Sequence, residues 1–168
     1  MTYIFLLTGV LEIGRISAAL AGCFGLPPGE VDIAVSGEAD RNWDAAVLCT
    51  YEQLGGDVTW SLDVYVPKAH TSNSTEGQTA AALAEHLGQA VLYPAESYPP
   101  SAYWLAAPHG LTTRARLYVE DLEDGDCEYA IDAVGHFVPE LPLLRVERQP
   151  DLIRFHRVAT PVSDDFLG

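Results

Sequence analysis

The side chains of this chain that could do chemistry are its carboxylates, five histidines and three cysteines, and their spacing limits what they can do. The densest group is acidic: Glu120, Asp121, Glu123, Asp124, Asp126 and Glu128 crowd one short stretch. A calcium loop of the EF-hand kind needs oxygen ligands at fixed offsets around a glycine in its sixth place, with a glutamate in its twelfth. With Gly125 as that glycine, Leu122 takes the third place and Ile131 the twelfth, so the pattern fails. The stretch reads instead as a solvated hairpin tip. Its other capacity is to attract a basic protein surface, with Asp121, Asp124 and Asp126 as contacts.

The histidines at 70, 86, 109, 136 and 156 form neither HxH nor HxxxH, so the sequence offers no ready metal site. His70 falls in a polar loop after a strand end and His109 stands beside Gly110, in loops of the kind that carry catalytic groups. These two are the candidate general bases if the protein is an enzyme. No GxSxG elbow, cysteine-nucleophile signature, GxGxxG fingerprint or Walker loop occurs, so no cofactor is expected. Cys23, Cys49 and Cys127 are odd in number and lack a CxxC pair, which fits reduced, mostly buried thiols in a cytoplasmic protein. Leu20-Ala21-Gly22-Cys23 matches a lipoprotein cleavage box. The preceding apolar stretch is broken by Glu12 and Arg15, however, and no basic residue precedes Arg15, so an unlipidated N-terminal helix is expected.

Charge restricts the partner more than any motif does. Nine Lys and Arg stand against 24 Asp and Glu, a formal net charge of −15, and Lys68 is the only lysine. Such a field repels phosphate backbones and anionic membrane surfaces, and it draws in basic proteins. Acidity that serves solubility alone is the competing reading. Arg145, Arg148, Arg154 and Arg157 cluster near the C-terminus, so the acidity belongs to the body of the chain.

The elements that must position these groups follow from hydrophobic spacing. With 48% hydrophobic and 20% charged residues, the 168-residue chain suits one globular domain. Its first part, 1–93, reads β-α-β-β-β-α-β, close to a split βαβ layout, and 94–168 reads as a β-rich extension packed on it. Tyr3 to Leu7 suggests a buried strand, with Thr8 capping a helix whose apolar residues Ile13, Ile16, Leu20 and Phe24 recur until Gly25. Val31 to Val35 alternates as a strand, and a hairpin about Gly55-Gly56 joins 46–51 to 58–66. In the second of these, Val58, Trp60, Leu62, Val64 and Val66 face one way and Thr59, Ser61, Asp63 and Tyr65 the other. Thr75 with Gln78 forms a capping box for a second helix ending at Gly88. Asp124-Gly125 marks a hairpin between strands 114–120 and 127–134. The proline-containing tail wraps the body around a strand-like 143–146. The expected fold is therefore α+β, a mainly antiparallel sheet with two helices, a C-terminal hairpin and a wrapping tail.

Aromatic residues supply the remaining candidates. Tyr93, Tyr98, Tyr103 and Trp104 gather around prolines, where they either anchor a partner or fill the gap between the two parts, and Tyr98 is the contact candidate. Trp43 lies between Asp40 and Asp44 in a polar loop with no evident core role, so these three form the preferred contact site. The profile is that of a small acidic, non-enzymatic binding module, such as a bacterial immunity or inhibitor-type protein that neutralises a basic toxin or nuclease. The alternative is an enzyme with a small-molecule pocket between sheet and helices, using His70 or His109.

Overall fold

A computed structural model describes residues 1–96, 99–148 and 150. Its strands are β1 (Thr2–Leu7), β2 (Val31–Val35), β3 (Val47–Gln53), β4 (Trp60–Tyr65), β5 (Val91–Pro94), β6 (Ala102–Ala106), β7 (Thr112–Asp121) and β8 (Cys127–Val134). Two helices, α1 (Ile13–Phe24) and α2 (Glu76–Leu87), complete an α+β architecture. The strands form one mixed sheet in the order β2-β3-β4-β1-β5-β6-β7-β8. Only β2 and β3 pair in parallel; every other neighbouring pair is antiparallel. Strands β4 and β5 flank β1 and are joined through α2, which is the split βαβ arrangement read from the sequence.

Alternation along the strands builds two cores on opposite faces of the sheet. Phe5, Leu7, Val47, Cys49, Leu62, Val64 and Val91 meet Ile16, Leu20, Phe24, Ala80, Leu83 and Ala84 of the helices in the first core. Leu6, Leu92, Leu105, Ala115, Leu117, Ile131 and Val134 point the other way and form the second. Full burial of each large aliphatic side chain contributes about 1.5–3 kcal/mol. The second core needs a cover, and the sheet supplies it by curling. The β3–β4 loop meets β8, where Tyr129 donates its N–H to the Gly55 carbonyl (2.8 Å) and accepts from the Asp57 N–H (2.7 Å). The Asp57 carboxylate also accepts the Ile131 N–H at 2.8 Å.

Helix ends follow their sequence signals in one case and depart from them in another. Both halves of the Thr75–Gln78 capping box are formed, and Gly88 closes α2 at φ 63°. Thr8, by contrast, does not cap α1. Its hydroxyl donates to the Ala90 carbonyl (2.9 Å), and the buried Gln89 side chain holds the Gly9 N–H (2.7 Å) and the Val10 carbonyl (2.8 Å). These bonds pin 8–10 to the start of β5 and delay the helix to Ile13.

Two further expectations change. Val58 does not share a face with Leu62 and Val64 but enters the second core, because β4 begins only at Trp60 and the preceding segment turns under β8. The segment 143–146 is not a strand: Leu143 is 98% exposed, and Val146 makes a single bridge to Val134. The described part of the tail does cover the body, with Leu141 and Leu144 packed on the second core.

Candidate functional site

The helices cover the first core, so the other face of β2, β3, β4 and the outer part of β1 is left for the loops. Strand register defines this open face. Leu48, Tyr65 and Thr2 form one cross-strand row, and Thr50, Asp63 and Ile4 form the next. Loop 36–46 folds over it, held by the one cation among its acids. Arg41 donates to the Asp32 carboxylate (2.7 Å), the Thr50 hydroxyl (2.8 Å) and the Cys49 carbonyl (3.1 Å). Its guanidinium also lies 5.2 Å from the centre of the Trp43 ring. The Asn42 N–H reaches the second oxygen of Asp32 at 3.2 Å, and the Trp43 indole N–H donates to the Ala39 carbonyl at 3.2 Å. Such bonds fix an otherwise polar loop, and with it the aromatic ring that the loop carries.

Trp43 is nonetheless 62% exposed, and Asp40 and Asp44 on either side of it are exposed as well. Beside the ring runs a groove of about 470 Å³ whose lining includes Glu38, Arg41, Trp43, Thr50, Asp63 and Tyr65, together with Leu48. Neither Arg41 nor the pair Asp63 and Tyr65 was a candidate from sequence alone. The signal for the pair was present, since the alternation of β4 already placed both away from the core. For Arg41 the signal was an isolated basic residue within an acidic loop.

The hairpin acids lie beyond the other end of β3. Asp121, Asp124 and Asp126 are all exposed at the β7–β8 tip. Two of them shape the tip itself: the Asp124 carboxylate accepts the Asp126 N–H (3.2 Å), and Asp121 accepts the Cys127 thiol (3.3 Å). Between this tip and the β3–β4 loop opens a cleft of about 730 Å³, lined by Glu52, Leu54, Gly56, Asp126, Glu128 and Tyr129 among others. Leu48, Thr50 and Glu52 alternate onto the same face of β3, about 7 Å apart per step, so this strand connects the two clefts. Among the described residues, no three His, Cys, Asp or Glu side chains converge as metal ligands.

The two histidines singled out in the sequence line neither cleft. His70 is half-buried in a turn where its N–H bonds the Pro67 carbonyl at 3.0 Å. His109 has φ 71° and is followed by Gly110 at φ 88°. Both positive φ angles fall in the three-residue turn Pro108–Gly110 that joins β6 to β7, closed by the Ala107 N–H to the Leu111 carbonyl at 2.8 Å. His109 therefore has a backbone reason for its position. His109→Gly is expected to leave stability unchanged or raise it by up to about 1 kcal/mol, because glycine adopts this conformation without strain. Urea denaturation measures this, and a loss above 1 kcal/mol would mean that the imidazole makes a contact of its own.

The thiols differ more than their sequence reading allows. Cys49 is buried, and burial pushes its pKa up to about 12. Cys23 is half-buried in α1. Cys127 is exposed, which corrects the expectation of mostly buried thiols; the turn of the hairpin leaves nothing to cover it. Its hydrogen bond to Asp121 raises its pKa, as the neighbouring acids suggested. Neither Cys49 nor Cys127 is thereby an activated nucleophile.

Of the other aromatics, Tyr93 is buried edge-on against Phe5, and Tyr103 packs on the second core. Trp104 packs on the first core and is stacked by Arg114 at 4.4 Å. All three are thus engaged in packing within the chain. Tyr98, the contact candidate of that group, lies outside the described residues. No helix among the described residues is long and apolar enough to cross a membrane. Comparison with protein-family models, curated proteins and solved structures finds no match to the chain.

Proposed function

We propose that the protein is a non-enzymatic acidic binding module whose open sheet face and hairpin tip receive a basic protein partner. A cytoplasmic, bacterial immunity or inhibitor-type protein that neutralises a basic toxin or nuclease has this character. The observation that carries the reading is Trp43, a large aromatic that is held by a hydrogen bond and a cation–π contact yet 62% exposed amid carboxylates without an ion-pair partner among the described residues. Apolar side chains in the first core are hidden, whereas this ring is stacked by Arg41 and still exposed. A side chain fixed before binding loses little freedom when a partner covers it, which is what an interface anchor needs. The chain's charge of −15 supplies the complementary long-range attraction.

A kinetic binding assay on a captured basic partner tests this. The on-rate should fall as salt rises toward ~0.5 M, where the screening length shrinks to a few ångströms. Trp43→Ala should chiefly raise the off-rate, and neutralising Asp40 and Asp44 should chiefly slow the on-rate. Thermal melts should show little change, since Trp43 contributes a surface stack and one exposed hydrogen bond, each about 0.5–1 kcal/mol. If Trp43→Ala unfolds the protein, the ring is structural. Tight binding indifferent to both salt and Trp43 would leave the acidity with a solubilising role.

A further inference from the structure

We infer that the groove between Trp43 and Tyr65 seats one arginine side chain of the basic partner. This rests on the binding function proposed above and gives it a recognition chemistry. The groove combines three features that a guanidinium uses together. Two aromatic rings border it: Trp43, and Tyr65, which is 49% exposed. The half-buried Leu48 forms an apolar floor directly across the ladder from Tyr65. A carboxylate, Asp63, stands on the same strand face as Tyr65, two residues and so about 7 Å away.

That carboxylate is exposed and has no hydrogen-bond or ion-pair partner among the described residues. Its cross-strand neighbours, Thr50 and Ile4, carry no charge. Arg41, the only cation lining the groove among the described residues, is committed to Asp32, Thr50 and the Cys49 carbonyl. The pairing with Asp32 also compensates its charge, so a second guanidinium in the groove would not face an unpaired one. Glu38 adds a further negative charge to the lining.

A guest anion or phosphate would meet Asp63 and Glu38 and be repelled. A metal ion would find Asp63 and Glu38 but no third ligand converging with them among the described residues. Between the two basic side chains, arginine fits better. Its planar, weakly hydrated head stacks on aromatic faces while its N–H fork grips a carboxylate, and its stem covers apolar floor. An ammonium keeps its water more strongly and offers no plane to stack. Trp43 already accepts a guanidinium, that of Arg41.

The test is an amide and indole NMR titration of the full chain at low salt. The probes are N-acetyl-arginine methylamide, its lysine and citrulline counterparts, and a decapeptide alternating glycine and arginine. Saturable shifts are expected at the Trp43 indole and at Leu48, Asp63 and Tyr65 with the arginine amide, weaker ones with lysine, and none with neutral citrulline. Asp63→Asn should weaken the response by about tenfold or more without altering the melting temperature. Tyr65→Ser, which removes a ring and keeps the charge, should weaken it too. Equal response to citrulline or to lysine overturns the arginine seat, as does an Asp63→Asn protein that responds like the parent. If the decapeptide shifts only residues 121–128, the seat fails and the acidic binding module stands. If the decapeptide binds nowhere, both fail.

Discussion

Gly56→Ala is expected to destabilise the protein by about 2–5 kcal/mol, far more than the same change at most other glycines. Two effects add. Gly56 has φ 94°, a conformation that costs an L-residue about 1–2 kcal/mol. A Cβ there would also press into the Tyr129 carbonyl oxygen and stand 2.8 Å from both the Tyr129 nitrogen and Glu128 Cγ. Backbone cannot yield as a flexible side chain does, so an overpacking cost of about 1–3 kcal/mol follows. Gly125 separates the two effects, because it has φ 87° and open space where a Cβ would go. Gly125→Ala should therefore lose only about 1–2 kcal/mol. Urea denaturation of both variants reads the difference. Equal losses would show that β8 does not close against the β3–β4 loop, and the hairpin cleft that Gly56 lines would lose its wall.

This glycine shows where the sequence is legible and where it is not. Gly55-Gly56 marks a chain reversal on local grounds, and the loop between the antiparallel β3 and β4 lies there. That the loop meets β8, over 70 positions away, depends on the curl of the whole sheet, which no local pattern records. Strand alternation was likewise readable for Leu62 and Val64 but misplaced Val58, because the periodicity continues past the point where the chain leaves the strand. The capping box at Thr75 and Gln78 is a local device and was readable in full. Thr8 carries the same kind of signal, yet its hydroxyl is taken by Ala90, a partner from a distant strand.

The candidate site divides in the same way. An aromatic among acids in a polar loop was enough to single out Trp43, and the ring is exposed. What holds it is a set of bonds from Arg41 to β2 and β3, which exists only once those strands pair. The groove beside it needed the β3–β4 and β1–β4 registers to bring Leu48, Asp63 and Tyr65 together. Charge made the hairpin acids conspicuous, but only the fold shows Asp121 and Asp124 bonding within the tip.

The tail poses the same problem in its strongest form, and Arg116 is where it can be measured. On β7 the polar residues Arg114, Arg116 and Tyr118 alternate with core residues, so the sequence places Arg116 on an outer face. It is instead fully buried, because the described part of the tail lies over it. Arg116 binds the Asp132 carboxylate, Glu147 at 3.0 Å and the Pro150 carbonyl at 2.8 Å. Arg145 joins from the surface, reaching Asp132 at 3.1 Å and Glu147 at 3.0 Å. Burial alone would lower the Arg116 pKa, but the bonds to Glu147 and Asp132 outweigh it and raise the value, so the guanidinium stays charged. Arg116→Met should cost about 3–5 kcal/mol, since it leaves two largely buried carboxylates with only the half-exposed Arg145 as their cation. Arg145→Met should cost about 1 kcal/mol or less, because its side chain is 45% exposed. Adding Asp132→Leu and Glu147→Leu to Arg116→Met should recover much of the loss, as apolar packing replaces a desolvated ion network. Denaturation of the three proteins separates an interaction that stabilises from one that merely must not be broken. If Arg116→Met loses less than 1 kcal/mol, the ion network does not fasten the tail, and the apolar contacts of Leu141 and Leu144 are what keep it over β7 and β8.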